Sequence, residues 1–453
     1  MTTTIEKSHL ANLVLSKKDE APSKSEWFAY EIEAPRDRAF ALLDDQSSEH
    51  GCYFSSNGQH LVGVGKVFHH KLFGPQRFFQ AKQALSKSLT TLGLPDAMQA
   101  KLRFFCGAAF SSSGQADDSC WKTFGDASVI LPEFTYSQCD DARPARLLGV
   151  AKKAETDQHI DRLWQVFSCS SAPIDRDELT VRRCSSSADE QRWQQLLATI
   201  ERQINEGQAQ KIVAARRMTY ELSGTPRLSS VLSRFGELSP SCTHFACRIG
   251  EKTFVGATPE TLVLKSGLEV RTEALAGSSA FSPQDAARRE QLLLENPKEL
   301  AEHAFVACAL TEQLRQICHS VTFDASPEVR KLKNLLHLWT PISGTLQRDE
   351  HILSLVERLH PTPAVGGSPR AQAIRWIEAN EPVERGWYAA PFGYVSAAGD
   401  GHFVVGLRSA LIHQNKCHVY AGAGIVKGSE PAREFEETRL KLASMLGALG
   451  IAD

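Results

Sequence analysis

The sequence lacks, at its N-terminus, the apolar stretch that would direct a chain to a membrane. Residues 1–26 are polar and contain no apolar run long enough for a signal peptide or a membrane span. The chain also lacks internal repeats and low-complexity linkers. We therefore expect neither membrane insertion nor a repeat architecture.

An excess of either charge is also missing, and so is a paired-cysteine motif. Lys and Arg number 51 against 53 Asp and Glu, so no overall field attracts nucleic acid or an anionic membrane. The 11 cysteines are scattered, odd in number and without a Cys-X-X-Cys pair. This usage argues against a disulfide framework or a zinc site and favours reduced thiols. We expect a cytoplasmic protein with no nucleic-acid or membrane partner.

What is present is the composition of an ordinary globular protein. A chain of 453 residues with 42% hydrophobic and 23% charged residues can bury a large core as one or two domains. The sequence turns rich in Ser, Asp and Arg between Cys169 and Glu190, which is the best boundary candidate. We predict a flexible N-terminus (1–25), an N-terminal α/β subdomain (26–185) and a catalytic region (186–453).

The patterns of the second half predict helices and antiparallel strands. A strand begins at Lys211, several short strands with turns at Gly250 and Gly267 follow, and a hairpin is expected around residues 413–416. A final helix begins near Ser429. This order predicts an α+β fold.

One helix of this region carries a candidate site residue. Asn296 as N-cap and Pro297 at the first helical position predict that a helix begins there. Helical spacing puts Glu302 on one face with Phe305 and Val306, so we expect its carboxylate to point inward.

Three further glutamates are candidates for chemistry. Glu260 ends a Thr-Pro turn, where a carboxylate is commonly solvated, but if buried it is a candidate proton donor. Glu434 and Glu437 lie one helical turn apart, and the simplest alternative for Glu437 is an ion pair with Lys441. That alternative leaves Glu434 unexplained. Carboxylates are hard oxygen ligands, so Glu302, Glu437 and Glu434 together suggest a magnesium site.

Basic and glycine residues lie among these acids. Lys211 heads a strand, where it is either a buried base or a lysine that reaches solvent from the strand end. Arg408 alternates with small residues on a predicted strand, which leaves room for a guanidinium that binds a carboxylate. Gly422 and Gly424 either offer backbone N–H groups to an anion or mark a bulge.

Read together, these segments resemble the chorismate-utilising enzymes. The resemblance covers roughly residues 191–453 and is specific, whereas the N-terminal part is similar more loosely, in the manner of menaquinone-branch members. Ser278 and Ser368 depart mildly, since threonine is common at both positions. The matching motifs, in order, are KIVAARR, FVGATPETLV, EALAGS, Glu302-His303, LHPTPAVGGSPR, GWYAAPFGYV, GLRSALI, AGAGIVKGSEP and the helix with Glu434, Glu437 and Lys441.

The resemblance implies layered, largely antiparallel sheets flanked by helices, with Mg²⁺ between Glu302 and Glu437 and with Glu434 behind a water. It implies that Lys211 is a base and Glu260 an acid acting on chorismate. It also implies the substrate-binding residues, which are Gly277, Ala364, Val365, Arg408, Gly422 and Lys441.

Two positions separate the members of this family. The resemblance implies that water-adding members have lysine at position 211, and that ammonia-using and salicylate-forming members typically have threonine where Ala364 stands. Both positions favour conversion of chorismate to isochorismate, with no amidotransferase subunit and with a monomer as the default. Salicylate formation, an amidotransferase-dependent synthase and a catalytically silent chorismate-binding subunit stay open as alternatives, as does a siderophore pathway in place of menaquinone.

Overall fold

The structure is a computed structural model that describes residues 6–23, 25–44, 48–112, 119–141, 143–168, 179–184, 189–281, 283–333 and 335–451. The helices are α1 (Lys7–Glu20), α2 (Ala39–Asp44), α3 (Arg77–Leu92), α4 (Asp96–Gln99), α5 (Thr156–Ser168), α6 (Asp189–Asn205), α7 (Leu228–Leu238), α8 (Ala286–Leu294), α9 (Pro297–Arg315), α10 (Ile352–Leu359), α11 (Arg370–Asn380) and α12 (Pro431–Leu449).

Strands form the other half of the architecture. They are β1 (Trp27–Ala34), β2 (His50–Ser56), β3 (Gln59–Val64), β4 (Phe68–Leu72), β5 (Arg103–Ala108), β6 (Ala127–Leu131), β7 (Phe134–Cys139), β8 (Ala145–Lys152), β9 (Val181–Cys184), β10 (Lys211–Leu222), β11 (Thr243–Ile249), β12 (Lys252–Thr258), β13 (Thr261–Ser266), β14 (Glu269–Ala280), β15 (Cys318–Phe323), β16 (Glu328–Lys331), β17 (Leu335–Leu346), β18 (Gly367–Ser368), β19 (Pro391–Ser396), β20 (Gly401–Val405), β21 (Ser409–His413) and β22 (Lys416–Val426).

The described strands form two large sheets. The first sheet has the order β1-β8-β7-β3-β2-β11-β12-β21-β22-β10-β18, with β9 added to β10. The second has the order β15-β17-β14-β13-β20-β19-β5-β6-β4, with β16 added to β17. Neighbours are antiparallel, as in β10 with β22 and β14 with β17. The predicted α+β fold of layered, largely antiparallel sheets is confirmed. Among the described residues, no helix is both long and apolar enough to cross a membrane.

Both sheets take strands from the N-terminal and the C-terminal parts of the chain. In the first sheet β2 pairs with β11, and in the second β5 pairs with β19. The boundary that we predicted after residue 185 lies outside the described residues, as does the stretch 169–178. Residues on its two sides nevertheless share the same sheets, so this boundary does not separate two cores.

The N-terminal segment that we expected to be flexible contains helix α1. Leu10 and Val14 of this helix are buried in the core, on the side of the first sheet that faces α5 and α7. Burial of two such side chains contributes roughly 3 to 6 kcal/mol. The polar composition of this segment did not indicate a docked helix, because only two apolar positions of the helix are buried. Residues 1–5 lie outside the described residues.

The core is divided by the first sheet, whose strands alternate their side chains between two faces. Phe245 and Phe254 point toward the second sheet, where the ring of Phe245 lies 5.4 Å from that of Phe392. Their neighbours Ala246 and Val255 belong to the opposite core, under α7 and α12. Two buried faces explain why apolar residues stand next to each other in these strands.

The chain passes from one sheet to the other between β20 and β21. β20 pairs with β13 and β19 in the second sheet, whereas β21 pairs with β12 and β22 in the first. Arg408 lies in this crossing with φ of 47°. Our placement of Arg408 within one continuous strand was therefore wrong, although the hairpin at His413 and Lys416 is confirmed.

Helix α9 begins where its capping residues predict. The Asn296 side chain accepts from the N–H of Lys298 at 3.0 Å, and Pro297 occupies the first turn. The buried face differs by one position from our prediction, because Val306 is buried while Phe305 is 38% exposed. Glu302 lies at the edge of that buried face, which leaves its carboxylate free to enter a cleft.

Candidate active site

A cleft of about 740 Å³, including its open mouth, lies where β10, β14, β17 and β22 meet helices α9 and α12. Its lining combines apolar walls with a few convergent charged groups, which is typical of a small-molecule site. Most of the site residues predicted from the sequence line this cleft. They are Glu260, Gly277, Glu302, Ala364, Val365, Arg408, Gly422, Glu437 and Lys441.

Lys211 does not itself line this cleft but contacts Glu302, which does. Its side chain is 1% exposed, and its ammonium donates to Glu302 Oε1 at 2.8 Å. Lys211 therefore does not reach solvent from the strand end, as one reading of the sequence proposed. Gly424 on the facing strand explains how the pair fits, since an added Cβ there would lie 2.6 Å from Lys211 Cε and 2.8 Å from Glu302 Oε1.

Glu260 is buried, with only 3% of its surface exposed. Burial, followed by the nearby charge of Glu273, raises its pKa to about 8, although the positive charge of Lys211 opposes the shift. Thr362 Oγ1 lies 3.5 Å from its Oε1. At neutral pH this carboxyl holds a proton, which is the state that a proton donor requires.

Four further glutamates lie at or next to the cleft, and two of them, Glu302 and Glu437, line it. Glu437 bonds Lys441 Nζ at 2.6 Å; burial would raise its pKa, but the charge and hydrogen bond of Lys441 lower it to about 2. Burial raises the pKa of Glu434, and the charge of Glu437 adds to the effect. Burial likewise raises the pKa of Glu299, and the negative charge of Glu302 contributes in the same direction. Carboxylates crowded in this way repel one another and are stabilised by a cation.

These glutamates fit a hard divalent cation. No group of three or more His, Cys, Asp or Glu side chains in the described part of the chain lies close enough together to enclose a metal ion without other ligands. Mg²⁺ does not need such an enclosure, because it keeps several waters and takes only one or two protein carboxylates. Glu302 and Glu437 offer that number, and Glu434 lies 3.4 Å from Lys298 at the rear.

Basic groups also line the cleft, close to the acidic ones. An Arg408 N–H lies 3.3 Å from His337 Nε2, and Lys441 also donates to the Gly422 carbonyl at 2.9 Å. Burial, followed by the charge of Arg408, lowers the pKa of His337 to about 3, so the ring is neutral and accepts this bond. Arg408 keeps its charge for a ligand, since its partner carries none.

Two glycines shape the backbone of the cleft. Gly277 has φ of 76° and lies where β14 shifts register against β17, a bulge that favours a residue without Cβ. Gly422 lies in a strand whose pairing with β10 has no bulge, whereas pairing with β21 ends at Val419. Among the described strands, none pairs with Gly422 on the side away from β10. Because its pairing with β10 has no bulge, the bulge alternative for this glycine is wrong.

Several residues of the site were missed at the level of sequence. His337 lines the cleft, and Arg385 joins the Val365 and Val213 carbonyls at 2.9 and 2.7 Å. Glu299 accepts from the N–H of Ser278 at 2.9 Å. Only the position of Glu299, three residues before Glu302 on one helix, offered a signal in the sequence.

The sequence is similar to those of chorismate-binding enzymes. The sequence profile of a family described as "Chorismate binding enzyme" matches residues 13–450. Isochorismate synthase MenF of Bacillus subtilis is 37% identical over 277 residues, which are 61% of this chain and 59% of that protein. The salicylate biosynthesis isochorismate synthase of Pseudomonas aeruginosa is 35% identical over 355 residues, or 76% of this chain and 73% of that one.

Solved structures agree with the sequence relatives. The menaquinone-specific isochorismate synthase MenF of Escherichia coli superposes with a TM-score of 0.83 at 26% identity, covering 98% of this chain and 99% of that one. Anthranilate synthase component I of Streptococcus pneumoniae has a TM-score of 0.72 at 20% identity, covering 87% and 92%, and shares the fold.

Proposed function

Because this chain belongs to the chorismate-binding enzyme family, we propose that it converts chorismate into isochorismate. The observation that carries the proposal is the arrangement of Lys211 and Glu260 at one cleft. One is a buried amine, and the other is a buried carboxyl whose pKa of about 8 keeps it protonated at neutral pH. This pair provides a base and an acid for exchange of a hydroxyl group.

The proposed reaction adds one water and releases another. The Lys211 amine takes a proton from a water molecule while the water oxygen forms a bond to C2 of the ring. The double bonds shift, and the bond between C4 and its hydroxyl breaks. Glu260 gives its proton to that hydroxyl, which leaves as water. No electrons are gained or lost, so the reaction needs no redox cofactor.

In the structure the Lys211 ammonium is ion-paired with Glu302. In the proposed reaction Glu302 binds the metal instead, and Lys211 acts as the base in its neutral amine form. We propose that Glu302 and Glu437 bind Mg²⁺, with Glu434 acting through a water. When bound, Mg²⁺ supplies positive charge to the ring carboxylate of chorismate. Without a cation, these carboxylates and that of the substrate would repel one another by several kcal/mol.

The remaining predicted residues bind the substrate in this proposal. Arg408 and Lys441, together with the backbone of Gly422, hold the second carboxylate, which belongs to the enolpyruvyl group. Gly277 approaches the ring through its backbone. Ala364 and Val365 form the wall near C2, where a small side chain leaves space for the attacking water.

The pathway is the finer part of the proposal, and we propose menaquinone biosynthesis. The E. coli neighbour that covers almost the whole chain is menaquinone-specific by name. The P. aeruginosa relative belongs by name to salicylate biosynthesis, so a salicylate or siderophore route is the second candidate. The genomic neighbours of the coding sequence distinguish these pathways.

Incubation of the protein with chorismate and Mg²⁺ tests the activity. Chromatography should show isochorismate, and the fluorescence of salicylate should stay at the background level. Salicylate formation would replace the proposal with a salicylate synthase. Unchanged chorismate would support the silent binding subunit, whereas conversion only with added ammonia would support an amidotransferase-dependent enzyme.

A further inference from the structure

The turn that carries Glu260 is held from outside the cleft by a second glutamate. Glu273 of β14 is 8% exposed, and its Oε1 accepts the N–H of Thr261 at 2.6 Å. Its Oε2 accepts from Trp339 Nε1 at 2.6 Å and from Arg330 at 2.8 Å. Three hydrogen bonds leave this carboxylate little freedom, and one of them holds the residue directly after Glu260.

Arg330 of β16 holds the other side of the same turn. One guanidinium nitrogen donates to the Pro259 carbonyl at 2.6 Å, while the other bonds Glu273. The guanidinium also lies over the Trp339 ring, 4.3 Å from its centroid. The residues before and after Glu260 are therefore each bonded to one member of a single ion pair.

The charges of this pair act on Glu260 in opposite directions. The negative charge of Glu273 favours the protonated form of the Glu260 carboxyl, whereas the positive charge of Arg330 favours the ionised form. The other groups that face Glu260 are Lys211, whose charge favours ionisation, and the Thr362 hydroxyl. Glu273 is thus the one carboxylate among the named neighbours of Glu260.

We propose that Glu273 and Arg330 are positioning residues for the acid of the reaction, which fix the turn around Glu260 and balance opposite charges beside its carboxyl. Neither residue lines the cleft of the described structure, so they act through Glu260 rather than on the substrate. This inference rests on the proposed function, since it assumes that Glu260 is the proton donor.

Opposite charges make the proposal testable without turnover. Infrared difference spectra recorded as the pH is raised follow the C=O band of a protonated carboxyl. The band that disappears in the Glu260→Gln variant is assigned to Glu260. In the unmodified protein its midpoint should be at about pH 8. Glu273→Gln should lower the midpoint and Arg330→Gln should raise it, each by about half a pH unit or more.

Glu328→Gln is the matched control, because Glu328 is an exposed carboxylate on the strand that carries Arg330. It should leave the midpoint unchanged. Midpoints that do not move, or that move in the same direction in both variants, would overturn the proposal. If Glu273→Gln fails to fold, the midpoint in Arg330→Gln still tests the proposal. An upward shift supports it, and an unchanged midpoint overturns it.

Kinetics separate this inference from the proposed function. At neutral pH both variants should lower kcat by about tenfold or more and leave the KM for chorismate within about twofold, because only the acid is misplaced. A protein that never forms isochorismate refutes the proposed function while the infrared shifts still test the electrostatic pair. An active protein with unshifted midpoints refutes the inference alone.

Discussion

Replacing Glu260 with glutamine should stabilise the protein, and more so as the pH rises. The unfolded chain releases the Glu260 proton near its ordinary pKa of 4.5, whereas the folded protein retains it up to about 8. Between these values the folded state binds one proton more than the unfolded state. The free energy of unfolding therefore falls as the pH rises through this window, by about 1.4 kcal/mol per pH unit.

The magnitude follows from the width of that window. Between pH 4.5 and about pH 8 this buried carboxyl lowers the free energy of unfolding by about 5 kcal/mol in total. At neutral pH this cost has reached about 3 kcal/mol. Glutamine is of similar shape and stays neutral at every pH. Glu260→Gln removes the cost above the unfolded pKa and changes nothing below it.

Equilibrium unfolding in urea, repeated from about pH 5 to about pH 9, measures this difference. The stability gap between Glu260→Gln and the unmodified protein should widen with pH and level off above about pH 8. Glu328→Gln, at an exposed position, should show no such trend. A gap that stays constant, or that narrows as the pH rises, would refute the assignment of a protonated Glu260.

Three further predictions concern the lysine, its glycine neighbour and the metal. Lys211→Ala should abolish turnover and lower the free energy of unfolding by about 3 kcal/mol, since Glu302 loses its partner; near-normal conversion would contradict the base role. Gly424→Ala should lower kcat at least tenfold by displacing that ion pair, while Gly236→Ala, with open space around its Cβ, should not. Removal of divalent metal with a chelator should abolish activity and added Mg²⁺ should restore it; activity in metal-free protein would contradict the metal role.

The general architecture could be predicted from the sequence because strand and helix signals are local. The strand that begins at Lys211 and the helix that begins at Pro297 appear in the structure as predicted. Motif order then supplied what local patterns do not, namely which distant segments meet. Lys211 and Glu302 are 91 positions apart, yet their side chains are 2.8 Å apart.

Arg408 shows where local patterns fail. Alternation of small and large residues around it is typical of a strand, but alternation does not indicate that the chain changes sheets. The positive φ of Arg408 arises from that crossing. Arg408 nevertheless lines the cleft.

The protonation of Glu260 depends on contacts that the residues next to it in the sequence do not indicate. A turn glutamate is usually solvated, and the burial of this one follows from the packing of strands around it. Glu273 lies on a neighbouring strand and Arg330 on a third, so only the assembled sheet brings their charges to the turn.

Labelled water tests the central claim most directly. If chorismate is converted with Mg²⁺ in water enriched in heavy oxygen, water attack at C2 predicts one heavy oxygen atom in each isochorismate molecule, located in the C2 hydroxyl by mass spectrometry and NMR. Isochorismate without the label would contradict the account, because its C2 hydroxyl would then come from the substrate rather than from solvent.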